Sequence, residues 1–389
     1  MRTISVEERR ARLARRHFLA PGAASGDPVD VARGLVGLHA TDPATVFLSA
    51  RARGVDADAL DRALYEERSV LRMIGMRRTL FVLPLDLAAV VQAACTEAVL
   101  AASRRRYAKL IEGGGIAPDG EAWLDRARVD TLRVLKVRGE AYASELSADV
   151  PLLREKVHFG EGKSWASSTG MTSWVLFVLA AEGRVVRGRP RGAWTSSQWR
   201  WAPAESWLEE PLSRLEPEAA RSELATRWLA TFGPATVADL KWWTGWTLTQ
   251  TRAALAAIDV VEVDLDGAPA LVTAGDLEPE SAPEPWVAFL PSLDPTVMGW
   301  KQRGWYLGEH APALFDRNGN AGPTVWWNGR IVGGWAGRKD GEVVFRLLED
   351  VGADAARAIE AEAERLRAWL GETTVTPRFA TPLAKELLA

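Results

Sequence analysis

Two short segments of this chain share one spacing. "GEAYASEL" (Gly139–Leu146) and "GPATVADL" (Gly233–Leu240) both read Gly-x-Ala-x-x-small-acid-Leu. A motif that recurs together with its flanks marks a repeated folding unit, and this restricts the fold more than any other feature. Each copy follows a helical run, "EAWLDRARVDTLRVLKVR" before the first and "EAARSELATRWLATF" before the second. Each precedes a further helical stretch, "MTSWVLFVLAAEG" and "TLTQTRAALAAI". A β-rich pair closes each unit: "RVVRGRPRGAWTSSQW" in one, "VVEVDLDGAPALVTA" in the other. The second pair turns at Asp266-Gly267, a strong hairpin signal between alternating residues. Helix, helix, helix, hairpin is the order of a winged helix-turn-helix.

The N-terminal third repeats this plan more loosely. A helix is expected near Val6–Phe18. Another covers Pro28–Leu38, with Asp27 as N-cap and proline at the first helical position. A third starts after Asp42-Pro43, and a fourth, "ADALDRALYEE", precedes the strand pair "SVLRMIGMRRTLFVLP". Past residue 280 the pattern changes. "WVAFLPSLDPTVMGW", "TVWWNGRIVGGWAG" and "GEVVFRLLED" are strand-like, with turns at Asn328-Gly329 and Asp340-Gly341. A last helix, Ala353–Leu370, is stopped by Gly371. The fold class is therefore α+β: three tandem winged helix-turn-helix units (1–115, 116–205 and 206–280) scaffolded by a β-rich C-terminal domain (281–389).

Charge then narrows the partner. The formal net charge is only −3, but it is unevenly spread. From Gly183 to Trp201 there are five arginines and no acid; from Ala253 to Trp300 there are nine acids and no Lys or Arg. A chain polarised this way presents a basic face despite a near-neutral total. In a winged helix the wing reaches the DNA backbone, so Arg184, Arg187, Arg189 and Arg191 are candidate phosphate contacts in the second wing. The acidic third wing is not, and is expected to pack structurally. The 18 tryptophans read mainly as core packing.

Other classes are set aside. One cysteine, Cys95, gives neither a disulfide framework nor a zinc cluster, and fits a reducing cytoplasm. The N-terminal segment has arginines but no apolar core of a secretory signal. The most apolar run, around "TSWVLFVLAA", is too short to cross a bilayer. No metal, cofactor or membrane partner is expected.

One polar island stands out. "GLHATDP" places His39, one of four histidines, with Thr41 and Asp42 between two apolar runs. Asp42-Pro43 reads as helix-start punctuation. His39 and Thr41 are either turn residues or a site.

Three segments, "FGPATVADLKWWTGWTLTQTRAAL", "GMRRTLFVLP" and "LPSLDPTVMGWKQRGW", together resemble the winged-helix DNA glycosylases of the AlkZ and YcaQ type. The likeness runs over nearly the whole chain. It implies a concave DNA-binding face and excision of bulky or cross-linked N-alkylated purines. It also implies a catalytic Gln-apolar-Gln or Gln-apolar-Asp motif, whose two polar positions fall on His39 and Thr41. Both residues depart from that pattern. The change either retunes a water-holding site or marks its loss.

On the first reading a neutral His39 accepts a hydrogen bond from the attacking water and acts as its base, while Thr41 orients the water or His39. No lysine neighbours the island in sequence, so activity is expected to be monofunctional. In "GMRRTLFVLP", Arg77 and Arg78 are candidate DNA contacts, of which strand alternation sends one to each face. Lys301 and Arg303, two apart on an expected strand, would share a face toward phosphate. The expected partner is double-stranded DNA, bound by a monomer. The alternatives are a non-catalytic winged-helix DNA-binding or regulatory protein and, more distantly, a protein-binding module.

Overall fold

The computed structural model describes residues 1–160, 163 and 166–389. Strand β1 (Arg2–Thr3) leads into helix α1 (Val6–Arg16), whose first turn is closed by the Ser5 hydroxyl accepting from the Glu8 amide. Helix α2 (Pro28–Gly34) starts where Asp27 accepts from the amides of Val29 and Asp30. Then come β2 (Leu38–His39), α3 (Pro43–Arg51), α4 (Ala57–Tyr65), β3 (Val70–Ile74) and β4 (Leu80–Pro84). These three strands make one antiparallel sheet in the order β2-β4-β3.

Helix α5 (Leu85–Val91) runs through a π turn at Gln92–Thr96 into α6 (Glu97–Gly113). This 29-residue run, not the "TSWVLFVLAA" helix, is long and apolar enough to cross a membrane by length and composition. Half of its most apolar window is buried inside the protein, where it packs as a core helix.

The second segment comprises α7 (Gly120–Arg138), β5 (Ala141–Tyr142), α8 (Ala143–Asp149), β6 (Lys156–Phe159), β7 (Ser167–Gly170), α9 (Met171–Ala181), β8 (Val185–Pro190), β9 (Trp199–Pro203) and α10 (Ala204–Trp207). Its sheet has the order β5-β9-β8. The β6–β7 hairpin lies between two helices that the pattern leaves adjacent; β7 is Ser-Ser-Thr-Gly and carries no apolar alternation to announce it.

The third segment holds α11 (Pro217–Phe232), α12 (Val237–Thr244), α13 (Leu248–Ala256) and the hairpin β10 (Val260–Leu265) and β11 (Ala268–Thr273). After it come β12 (Val287–Leu290), α14 (Gly304–Leu307), α15 (Ala311–Leu314), β13 (Thr324–Trp327), β14 (Arg330–Gly337), β15 (Val343–Leu347), α16 (Ala353–Leu370) and α17 (Pro382–Leu388). The four strands form an antiparallel meander. Asn328 (φ 47°) and Gly329 (φ 80°) supply the positive φ pair its first tight turn needs.

The repeated motif has a plain physical cause. Its acid closes the first turn of the helix that follows. Glu145 accepts from the Tyr142 amide at 2.7 Å at the start of α8. Asp239 accepts from the Thr236 amide at 3.0 Å, while the Thr236 hydroxyl accepts from the Asp239 amide at 3.1 Å, at the start of α12.

The N-terminal residues join the third segment as well as the first. Strand β1 pairs in parallel with β10, and Ile4 enters the small core of that sheet. Arg12, almost fully buried, and Arg16 both reach Asp276 at 2.7 Å; Arg15 pairs with Glu280. Two acids of that stretch, Asp276 and Glu280, thus find their counter-ions on α1. One core runs continuously through the first segment, the third and part of the C-terminal domain. The second segment has its own core.

Candidate functional site

Residues 38–41 form the edge of the β2-β4-β3 sheet. His39 stands opposite Phe81 in the register, the Ala40 amide donates to the Leu80 carbonyl at 2.7 Å, and the Leu80 amide donates back to the Thr41 hydroxyl at 3.3 Å. The polar island is therefore a sheet edge running into a helix cap. Asp42 supplies that cap, accepting from the amides of Ala44 and Arg378, both at 3.1 Å. Burial raises its carboxyl above the usual range, against the pull of those amides.

His39 and Thr41 open into a cleft of about 350 Å³. The cleft also gathers Arg77, Lys301 and Arg303, far apart in sequence, and among the described residues has no Asp or Glu in its lining. His39 is 4% exposed, with its ring edge-on to Phe81 at 5.2 Å. Its Nδ1 is buried without a hydrogen-bond partner. Burial, then the charge of Arg77, pulls the imidazole down to about 3, against a weak opposing effect of Asp294. The ring is neutral at physiological pH. So low a value also makes it a poor proton acceptor, able to accept a hydrogen bond from a donor without taking its proton. Thr41 is partly exposed; its carbonyl accepts from the Arg378 guanidinium at 3.1 Å.

Opposite stand two arginines over one indole. The Arg77 guanidinium lies 4.2 Å and that of Arg303 4.7 Å from the Trp242 ring centre. Burial, then the mutual repulsion with Arg303, lowers Arg77 to about 10; burial lowers Arg303 as well. Neither has a carboxylate partner among the described residues, and the Arg77 Nε is buried and unbonded. Two half-desolvated cations on one aromatic face favour an anion between them. Gly245 (φ 79°), the left-handed cap of α12, makes this approach possible: a Cβ there would sit 3.2 Å from the Arg77 side chain.

Lys301 and Arg303 do not lie on a strand. Only Val287–Leu290 of that segment is extended, and residues 291–303 form an irregular, largely buried loop. The loop is held because the amides of Lys301 and Gln302 both donate to Asp239 at 2.9 Å. From below it is held by Asp294, which pairs with Arg53 (2.8 and 2.9 Å) and accepts from Ser49 at 2.6 Å. Burial would raise the Asp294 carboxyl, yet Arg53, Ser49 and the Thr296 amide hold it below the usual range. The expectation that no lysine stands near His39 and Thr41 is overturned: folding carries Lys301 into the same cleft.

Arg77 and Arg78 do part company, though by a turn and not by strand alternation. Both have left-handed backbones, φ 52° and 63°. Arg78 turns away from the cleft, onto the Tyr107 hydroxyl and over Phe177 at 4.7 Å. The second hairpin also splits its arginines. Arg184 and Arg191 are exposed. Arg189 is paired with Asp61 and Glu66 of the first segment. Arg187 turns inward over Trp201 at 4.4 Å.

Sequence reasoning missed Trp242, Arg378 and the Arg53–Asp294 pair. Only "DLKWWTGW", two adjacent tryptophans beside a repeated helix start, carried a signal.

The fold has a counterpart among solved structures. Streptomyces sahachiroi DNA glycosylase AlkZ superposes with a TM-score of 0.70 at 22% identity, covering 97% of this chain and 100% of that one. No curated protein sequence matches the chain. The family model described as "DNA glycosylase AlkZ-like" matches residues 32–369, which takes in His39, Thr41, Arg77, Trp242, Lys301 and Arg303 alike. The chain belongs to the AlkZ-like DNA glycosylase family.

Proposed function

We propose that this DNA glycosylase removes N-alkylated purines from double-stranded DNA by water attack at the glycosidic bond, acting as a monomer. The observation that carries this reading is a neutral, unpartnered His39 facing a cleft lined by Arg77, Lys301 and Arg303 and by no acid.

His39 and Thr41 hold the water. Its oxygen bonds to C1′ as the C1′–N9 bond breaks, and the electron pair leaves with the base. An N7-alkylated purine is cationic and so departs neutral; the spare water proton passes to solvent. Little base strength is needed, which suits an imidazole this hard to protonate. A neutral ring also adds no positive charge beside the oxocarbenium-like sugar. Arg77 and Arg303 on Trp242, with Lys301, take backbone phosphates, and Arg184 and Arg191 extend the same contact on the second hairpin. The tandem winged-helix division at 1–115, 116–205, 206–280 and 281–389 suits this use, with β1 and α1 lent to the third unit.

The course is hydrolytic: the water-holding groups lie at the sheet edge, whereas the Lys301 side chain is exposed. The abasic strand stays intact and borohydride traps no protein–DNA adduct; an adduct lost in Lys301→Ala would contradict this. The test of the function itself is incubation of the protein with duplexes carrying N7-methylguanine, N3-methyladenine or a bulky N7 adduct. Release of at least one base is expected, and release of none would leave the second reading. That reading, a lesion-binding protein without catalysis, is favoured by His39 and Thr41 standing where the motif of the resembled enzymes has glutamine and glutamine or aspartate.

A further inference from the structure

A second cavity, of about 520 Å³, opens between α8, the start of α9 and the β8–β9 hairpin. Trp199, Trp201, Tyr142 and Phe177 give it aromatic walls; Arg187 and Arg191 give it charge; among the described residues no Asp or Glu lines it. Its volume is within the range of small-molecule sites.

The anomaly is Arg187. Its guanidinium lies 4.4 Å from the Trp201 ring and 5.7 Å from that of Trp199, and among the described residues it makes no hydrogen bond and no ion pair to protein. Its Nε is buried, as is the equally unbonded Trp199 Nε1. Arg72, 3% exposed, sits 5.2 Å from the same Trp199 ring and adds a second positive charge. The nearby acids Asp61 and Glu66 are taken by Arg189. Burial, then Arg72, pulls Arg187 down to about 9. A protein that keeps a cation here without a counter-charge loses stability by it, unless a ligand supplies the anion.

We propose that this cavity is a nucleotide-binding pocket, distinct from the His39 cleft, that takes a phosphate on Arg187 and Arg191 and stacks the attached base on Trp199 and Tyr142. The proposal rests on the reading of DNA as the partner, since a nucleotide unit can come from an unpaired strand or from free nucleotide. Ser144, Thr172 and Gln198 line the cavity as hydrogen-bonding groups for the base edge.

Calorimetric titration of the full-length protein with dGMP, deoxyguanosine, inorganic phosphate and a lesion-free duplex with a single-stranded overhang tests it. Expected are binding of dGMP or of the overhang, at least tenfold weaker binding of deoxyguanosine, and at least tenfold loss in Arg187→Met and in Ser144→Trp, which fills the cavity with Arg187 in place. dGMP binding assigns the pocket to free nucleotide as well as strand; overhang binding alone assigns it to strand. Arg187→Met should melt at or above the wild-type temperature, because it removes a partly desolvated cation that has no carboxylate partner among the described residues. Failure of every probe, or wild-type binding in both variants, overturns the proposal, as does a lowered melting temperature in Arg187→Met. Excision of N7-methylguanine by the wild type, followed in parallel, separates the two readings: excision with none of the probes bound overturns this one alone.

Discussion

Arg53 and Asp294, 241 residues apart in sequence, meet as a bidentate ion pair with no solvent exposure on either side chain. The pair fastens the end of α3 to the loop at 291–303, and so fixes the distance between the His39 edge and the Lys301–Arg303 wall. His17 joins it through Thr296, with Nδ1 2.8 Å from the threonine oxygen. Breaking such a pair from one side leaves a buried charge alone. Asp294→Asn should cost about 3–5 kcal/mol, read as a lower urea midpoint. A midpoint equal to that of wild type would show that the pair does not hold the loop.

Acid should destabilise the protein through its histidines. Burial, foremost, pulls both His17 and His39 to about 3. Unfolding returns each to its ordinary value of about 6.5, so the unfolded state binds the extra protons. The stability is complete above about pH 6.5 and is lost as pH falls toward 3, by about 2 kcal/mol per histidine at pH 5. Melting temperature followed from pH 7.5 to 4.5 should show this, with a shallower fall in His39→Gln. An unchanged fall in that variant would place the proton uptake elsewhere.

Excision should nevertheless be flat with pH. A neutral His39 does not titrate near 6.5 while the protein is folded, so single-turnover rates from pH 5.5 to 8, well below the melting temperature, should show no break there. A break at 6.5 that disappears in His39→Gln would mean that the ring is solvated and acts as a base.

Arg77 and Arg303 should each carry one phosphate. Replacing either by Ala should weaken duplex binding and reduce the salt slope by about 0.9. Trp242→Ala should weaken both together, so that adding Arg77→Ala to it costs less than Arg77→Ala alone. Arg189→Ala should change affinity less than twofold, because Asp61 and Glu66 already neutralise that side chain. Equal losses at Arg77 and Arg189 would argue for a diffuse basic face without a defined cleft.

Local chemistry was the legible part of this chain. The Asp27 and Asp42 caps, the Asp266-Gly267 and Asn328-Gly329 turns and the repeated acid that closes α8 and α12 are each decided within four residues. The family motif singled out His39 and Thr41 but left open whether they are turn residues or a site. What escaped was long-range. Nothing beside Lys301 signals that Asp239 will draw its backbone to the cleft, and "SLDP" reads as a turn until Arg53 is seen against it. Five arginines in one hairpin read as one basic face; tertiary contacts gave Arg189 to acids and Arg187 to tryptophans.

The most direct test is single-turnover release of N7-methylguanine from duplex DNA at saturating protein, comparing wild type with His39→Ala and His39→Gln. The account predicts release by wild type, a fall of about 100-fold or more in His39→Ala with duplex affinity within threefold, and substantial recovery in His39→Gln, whose amide can also hold the water. Equal release by wild type and His39→Ala would contradict it, because the base would then be leaving without the group on which the site is built.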